Sequence, residues 1–188
     1  KEQVSLIYIG YFDRAPEPAG LNFWEIQLEE FLDGSADGVA GMSLQDIATD
    51  FSTQQETRDV YDFFDPGSTI SAGNFLTNVY LNLFGRLPDS GGLQFWTDVL
   101  NSGTLPVGQV ILEIIGGAQG SDILVLENKL SVAIDWHDTA LANGVFIPDA
   151  AGAATPPSGP DESPQSTCRF SGDRSVFAGS SCTTSADP

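Results

Sequence analysis

Residues 80–96 read YLNLFGRLPDSGGLQFW, and residues 8–24 read YIGYFDRAPEPAGLNFW. Tyr8 and Tyr80, Phe12 and Phe84, Arg14 and Arg86, Pro16 and Pro88, Gly20 and Gly92, Leu21 and Leu93, Phe23 and Phe95, and Trp24 and Trp96 coincide at one constant offset. A repeat of this kind marks one structural unit used twice. Each copy reads as helix, tight loop, helix. An apolar segment ends at Phe, a Pro-containing loop cannot continue the helix, and a second segment rises to Leu-x-Phe-Trp.

In the 80–96 copy, Gly85 and Gly91 or Gly92 permit sharp turns. Asp89 is placed to accept from the free amides at the next helix start. Arg86 is placed to pair with a carboxylate across the loop, and Phe95 and Trp96 to close the corner on Tyr80 and Phe84. In the 8–24 copy, Asp13 stands in place of Gly85 and Glu17 in place of Asp89, so that loop also keeps an acid near the helix start.

The flanking sequence continues the helical pattern. Val4, Ile7, Tyr8 and Tyr11 form a three-and-four stripe, and Leu21, Trp24, Leu28 and Leu32 form a second. Ser43 followed by Asp46 nearly matches a capping box, and Thr53 followed by Glu56 matches it fully, which predicts helices over 44–51 and 54–63. Ser71 opens a helix running to Phe84. Further helices are expected over 91–100, near 106–115 and over 121–142, the last stopped by Asn143 and Gly144. Strand-like runs such as 145–147 are few and short.

From Pro148 the composition changes. Residues 148–167 are rich in Pro, Gly, Ser, Ala and Thr and read as an arm. Cys168 and Cys182 are the two cysteines and bound a 15-residue segment too small for a core of its own. They read as a structural disulfide of an oxidising compartment, against idle thiols as the plainer alternative. Such a loop would contribute about 3 kcal/mol by restricting the unfolded tail. The expected fold is therefore all-α. A compact multi-helix domain over 1–147 is built on two related helix-loop-helix repeats, and an irregular, disulfide-containing tail spans 148–188.

Charge bounds the partners. Seven basic side chains face 26 acidic ones, for a net charge of −19. Nucleic acid needs basic contacts to phosphate and is a poor partner, and an anionic membrane is poor for the same reason. Cations and basic partners fit better. No stretch has the length of an apolar membrane span. The chain begins at Lys1 without a signal segment, which fits either a processed mature form or a trimmed piece.

The motif Phe84-Gly85-Arg86-Leu87-Pro88-Asp89, followed by Gly92-Leu93 and Trp96, resembles the DUF4214 family. Its hallmark is Tyr…Phe/Leu-Gly-Arg-x-Pro-Asp-x-x-Gly-Leu-x-x-Trp. The 80–96 copy matches it nearly throughout and the 8–24 copy more loosely; the resemblance spans about 1–143 and leaves out the tail. It implies a helical module of secreted or surface-associated bacterial proteins, often beside calcium-binding repeats. That places the chain outside the cell, at the cell surface or in the periplasm, in an adhesive or assembly role, with another surface protein or a saccharide as partner. The family carries no defined chemistry.

A calcium loop is the best chemical candidate. Asp33, Ser35, Asp37 and Gly38 match positions 1, 3, 5 and 6 of an EF-hand loop, and the Val39 carbonyl serves at position 7. Position 12 falls on Leu44 instead of Glu, so Asp46 or Asp50 must supply the last carboxylate. An ordinary acidic turn is the alternative. Glu56, Asp59, Asp62 and Asp65 form a second acidic face, and Asp135 and Asp138 flank the sole histidine, His137. A groove between the repeats, lined by Arg14, Trp24, Arg86 and Trp96, is the alternative ligand site, against a purely structural role for the four.

Enzyme signatures do not compete. The chain lacks a G-x-S-x-G elbow, an H-E-x-x-H pair and a Walker loop; the glycines at 116–120 have no accompanying Lys. An acid-pair hydrolase stays open only because acids are abundant. The expectation is a non-enzymatic extracellular or surface binding and assembly module stabilised by calcium. The alternative is a small-ligand, saccharide or metal-binding protein using the inter-repeat groove.

Overall fold

The computed structural model describes residues 1–34, 40–61, 63 and 71–144, with the backbone of 166–169 and 181–184. The described residues form eight α-helices: α1 (Glu2–Phe12), α2 (Pro18–Leu32), α3 (Leu44–Phe51), α4 (Gln55–Val60), α5 (Ala72–Phe84), α6 (Ser90–Ser102), α7 (Val107–Gly116) and α8 (Ser121–Ala142). A two-stranded antiparallel ladder, β1 (Ser166–Arg169) and β2 (Ser181–Thr184), lies in the tail. Among the described residues no single helix is long and apolar enough to cross a membrane.

The helix α1 is the hub. It packs against α2, α3, α4, α5, α7 and α8. Its stripe of Val4, Ile7, Tyr8 and Tyr11 is buried as the spacing predicts, but Ser5, Ile9, Gly10 and Phe12 are buried too. A helix wrapped on every side needs apolar or small residues all round, so the single-stripe reading is too narrow. The core continues through Phe51, Phe75, Leu76, Val79, Leu83, Val110 and Ile111. The helices α3 and α7 approach closely at Gly108, where a Cβ would overlap the Ala48 backbone. Long-range polar bonds tie α1 to both halves. The Tyr11 hydroxyl donates to the Ala48 carbonyl at 2.9 Å, and the Asn82 amide donates to the Gly10 and Tyr11 carbonyls at 3.1 and 3.2 Å.

Several termini follow the sequence rules. Pro18 opens α2 at N1, where its missing N–H is no loss. Ser43 and Asp46 complete a capping box at α3: the Asp46 N–H donates to Ser43 Oγ at 3.1 Å, and the Ser43 N–H donates to Asp46 Oδ2 at 3.3 Å. The helix α8 ends at Asn143, with Gly144 in the left-handed region.

The Thr53–Glu56 box does not form. The helix α4 starts at Gln55, the Thr53 hydroxyl donates to the Asp50 carbonyl at 2.8 Å, and Glu56 receives the Arg14 guanidinium instead. A bidentate, charge-assisted fork outcompetes a neutral amide for the carboxylate. The predicted 54–63 helix is correspondingly shorter, because Tyr61 turns to an extended backbone and its hydroxyl donates to the Tyr11 carbonyl. Within the tail the described residues are the short ladder of β1 and β2, a pair too brief to announce itself by alternation. The run at 145–147 lies outside the described residues.

Candidate functional site

The chemistry-bearing residues gather at two corners. At the first, the guanidinium of Arg14 is almost entirely enclosed, with 10% of the side chain exposed. Its Nε and Nη2 donate to the two carboxylate oxygens of Glu56 at 2.9 and 2.8 Å. Its Nη1 donates to Glu17 at 2.6 Å and to the Ala15 carbonyl at 3.0 Å. The same cation lies over the rings of Tyr8 and Phe12, at 5.0 and 5.4 Å from their centroids. Burial works against this charge, but the carboxylates of Glu17 and Glu56 outweigh it and hold the Arg14 pKa above its ordinary value.

Tyr8 closes the corner from above. Its hydroxyl donates to Glu17 at 3.3 Å. Burial, then the Glu17 carboxylate, pushes this phenol well above its ordinary range. Gly20 sits where any side chain would collide, since a Cβ there would overlap the Tyr8 hydroxyl and the Glu17 carboxylate. Trp24 is buried and packs 5.3 Å from the Phe51 ring.

At the second corner Arg86 makes a matching fork to another acid. Its Nε and Nη2 donate to Asp122 at 2.9 and 2.6 Å, and its Nη1 donates to the Leu87 carbonyl at 3.0 Å. It lies 5.5 and 5.7 Å from the ring centroids of Tyr80 and Phe84. The Asp122 hydrogen bond raises the Arg86 pKa. Asp89 caps α6 as expected, accepting from the Gly92 N–H at 2.9 Å, and this bond holds its carboxyl below the usual range. Trp96 is half-buried, and Phe95 points into solvent instead of closing the corner.

Sequence reading missed the acids that take the two arginines. Glu56 is the second residue of α4 and Asp122 the second of α8. Each stands at a helix N-terminus, where a carboxylate is already favoured, and that placement was the available signal. Asp13 holds a left-handed backbone at φ 51°, and Gly85 the same region at φ 65°. The Asp13 carboxylate takes the Lys129 ammonium at 2.6 Å, joining the first corner to α8.

The other candidates fall as follows. Arg14 and Trp24 belong to one copy of the motif, Arg86 and Trp96 to the other, and each arginine lies over its own Tyr. Of the calcium loop, Asp33 is the C-cap of α2, and Ser35, Asp37 and Val39 lie outside the described residues. Asp46 is tied to Ser43 through Oδ2, which also accepts from the Ser43 hydroxyl at 2.6 Å. On α2, Glu30 keeps a buried carboxylate oxygen without a hydrogen-bond partner. Among the described residues no three His, Cys, Asp or Glu converge as a metal site.

Of the second acidic face, Glu56 serves Arg14 and Asp59 accepts from Gln55 at 2.7 Å; Asp62 and Asp65 lie outside the described residues. His137 is buried, with Nδ1 3.0 Å from Asp138, which also pairs with Lys1. Among the described residues Asp135 has no hydrogen bond or ion pair to either.

The described residues thus define an all-helical domain organised around two Arg–carboxylate corners. Residues 62–118, which contain Arg86 and its loop but not its partner Asp122, match the family model of a domain of unknown function, DUF4214. No curated protein and no solved structure matches the chain.

Proposed function

We propose that this chain is a non-enzymatic extracellular or cell-surface binding and assembly module, stabilised by calcium. Its body is one four-helix unit used twice, α1–α4 and α5–α8. The observation that carries the reading is the position of the arginine's partner. In both halves the Arg of the first loop forks onto the second residue of the fourth helix, Glu56 in one and Asp122 in the other. The arginines and their tyrosine neighbours are thereby occupied in holding the fold, which favours a structural role over a ligand groove.

Acidic composition supports an extracellular setting. The β1–β2 register supports the disulfide, since it sets Cys168 directly opposite Cys182. Opposed residues in an antiparallel pair have Cα atoms about 4.5–5.5 Å apart, within the range a disulfide spans.

Calcium belongs to the segment after α2. Glu30 lies in the last turn of α2 and Asp33, three residues on, is its C-cap in helical backbone, so the two share a face. A buried carboxylate oxygen with no donor is costly, and a cation would relieve it. Asp33 and Glu30 would supply hard oxygens, with Ser35, Asp37 and the Val39 carbonyl from the loop; Asp46 retains only Oδ1 for the purpose. Calcium titration by calorimetry on chelator-stripped protein tests this reading. Saturable binding at low integer stoichiometry, lost in Asp33→Ala and Asp37→Ala and weakened in Glu30→Gln, is expected. No heat in the wild type at millimolar calcium would reduce the segment to an acidic turn.

A further inference from the structure

A cleft of about 330 Å³ lies between the end of α4 and the helix α5. Val60, Tyr61 and Phe63 line it from the α4 side, and Asn74, Thr77 and Asn78 from α5. Phe75 completes the lining and braces the aromatic side. The Phe63 ring lies parallel to it at 5.4 Å, and Tyr61 meets it edge-on at 5.1 Å. The cleft is distinct from the groove expected between the repeats, since Arg14, Trp24, Arg86 and Trp96 do not line it.

Its polar groups are spare. Asn74 and Asn78 stand four residues apart and share one face of α5. Both are exposed, and neither carboxamide has a hydrogen bond among the described residues. The Thr77 hydroxyl donates to the Gly73 carbonyl at 2.7 Å and keeps its oxygen free to accept. Asn82, next in the same row, shows the contrast: its amide donates to the Gly10 and Tyr11 carbonyls and, at 3.0 Å, to the Tyr61 hydroxyl. One Asn of the row therefore holds the fold and the other two do not. Asn is a poor former of helix interiors, and Asn78 sits at the middle of α5 without a bond to explain it. Such a departure from local preference is expected where a site is built. At the offset that aligns Tyr8 with Tyr80, Asn74 and Asn78 correspond to Glu2 and Leu6, so the row is not part of the shared repeat.

The lining selects the ligand. Among the described residues that form it none is charged, in a chain with 26 acidic side chains. A cation would find no carboxylate there and an anion no base, and either would lose water without compensation. A carboxamide both donates and accepts, which matches hydroxyl groups that do the same. The volume is at the lower end for small-molecule sites. We propose that this cleft binds a neutral sugar unit, its hydroxyls on Asn74, Asn78 and the Thr77 oxygen and its C–H face against Val60 and Phe63. An extended peptide is disfavoured, because it needs a continuing row of partners for its backbone, and the row stops where Asn82 turns into the fold. The inference names a ligand class for the binding module proposed above and does not depend on calcium.

The test uses the full chain, with calcium and with chelator, and saturation-transfer NMR titrations of methyl glucoside, methyl galactoside, methyl mannoside and N-acetylglucosamine. Saturable transfer to the ring C–H protons of at least one of these sugars is expected. Its Kd should rise about tenfold in the double variant Asn74→Ala, Asn78→Ala and stay unchanged in Asn101→Ala. Thermal melts establish that these exposed-helix variants remain folded. Absence of saturable transfer from every one of these sugars, or binding indifferent to the double variant, overturns the proposal. So does tighter binding of glucuronate or glucosamine than of the neutral sugars, or an acetylated, amidated tetra-alanine that binds more tightly than any sugar and is lost in the double variant. A failed sugar titration beside a successful calcium titration removes this inference and leaves the calcium reading standing.

Discussion

The two Arg corners share their Tyr, Phe, Arg, Pro, Gly, Leu and Trp, yet one is a core and the other a surface. Arg14 keeps 10% of its side chain in solvent and Arg86 keeps 44%. Glu17 turns inward to Arg14 and Tyr8 and leaves its helix start without a side-chain cap. Asp89, one methylene shorter, stays at the helix start and caps it. The same motif therefore serves packing in one place and local helix stabilisation in the other, and what decides is which later helix arrives to cover it.

The largest expected difference comes from removing each guanidinium. Arg14→Met takes two acids' partner out of an enclosed site, whereas Arg86→Met leaves Asp122 at a helix N-terminus that still favours it. Denaturant unfolding should show a loss of about 3 kcal/mol for Arg14→Met and about 1 kcal/mol for Arg86→Met. Glu17 and Glu56 each retain solvent contact, which keeps the first figure at the low end of buried-pair losses. Equal losses at the two sites would mean that the difference in burial carries no energetic weight.

The paired glycines should give opposite signs. A Cβ on Gly20 overlaps the Tyr8 hydroxyl and the Glu17 carboxylate, while on Gly92 the nearest atoms are at 3.4 Å, an ordinary contact. Gly20→Ala should destabilise by about 2 kcal/mol through overpacking. Gly92→Ala should stabilise by about 0.5 kcal/mol, because Ala is the better helix former. Thermal melts of the two single variants decide it, and a shared sign would break the contrast.

The sequence made these corners visible as helix, loop and helix, and it named Asp89 and Ser43 as caps correctly because caps are local. It did not show which acids receive the arginines. Glu56 lies 42 residues beyond Arg14, and Asp122 lies 36 beyond Arg86, and in so acidic a chain spacing alone cannot select them. Nor did it show that Phe95 is exposed while Phe23 is half-covered. The two residues sit in the same motif, and burial depends on what packs against the motif from far along the chain, as Phe51 of α3 does on Trp24. For the calcium loop, the pattern at 33–38 was legible, but Glu30 was not, because an unpartnered carboxylate is a property of packing.

Alkaline titration sharpens the contrast at the tyrosines. Burial raises both Tyr8 and Tyr80, and Tyr8 the more, with Glu17 adding to it. A phenol whose folded pKa lies above its unfolded value of about 10 contributes stability that is complete below that pH. The contribution is lost as pH rises from there through the folded pKa. Wild-type stability should therefore fall above about pH 10. Tyr8→Phe should flatten that fall more than Tyr80→Phe, measured by urea midpoints across the alkaline range.

The smallest effect is at acid pH and belongs to the second corner alone. The Gly92 N–H, with the further amide of Gly91, holds the Asp89 carboxyl below its usual range. Its folded pKa is thus lower than its unfolded value near about 3.9, so its contribution is present above that pH and disappears as pH falls through the folded pKa. Asp89→Asn keeps a capping side chain but cannot titrate, and it should make the acid limb of the stability curve shallower below about pH 4. The residue is fully in solvent, so the change should be modest and should shrink further at high salt. A wild-type acid limb identical to that of Asp89→Asn would mean that the cap works through geometry alone. The two corners would then differ in burial but not in the charge at the helix start.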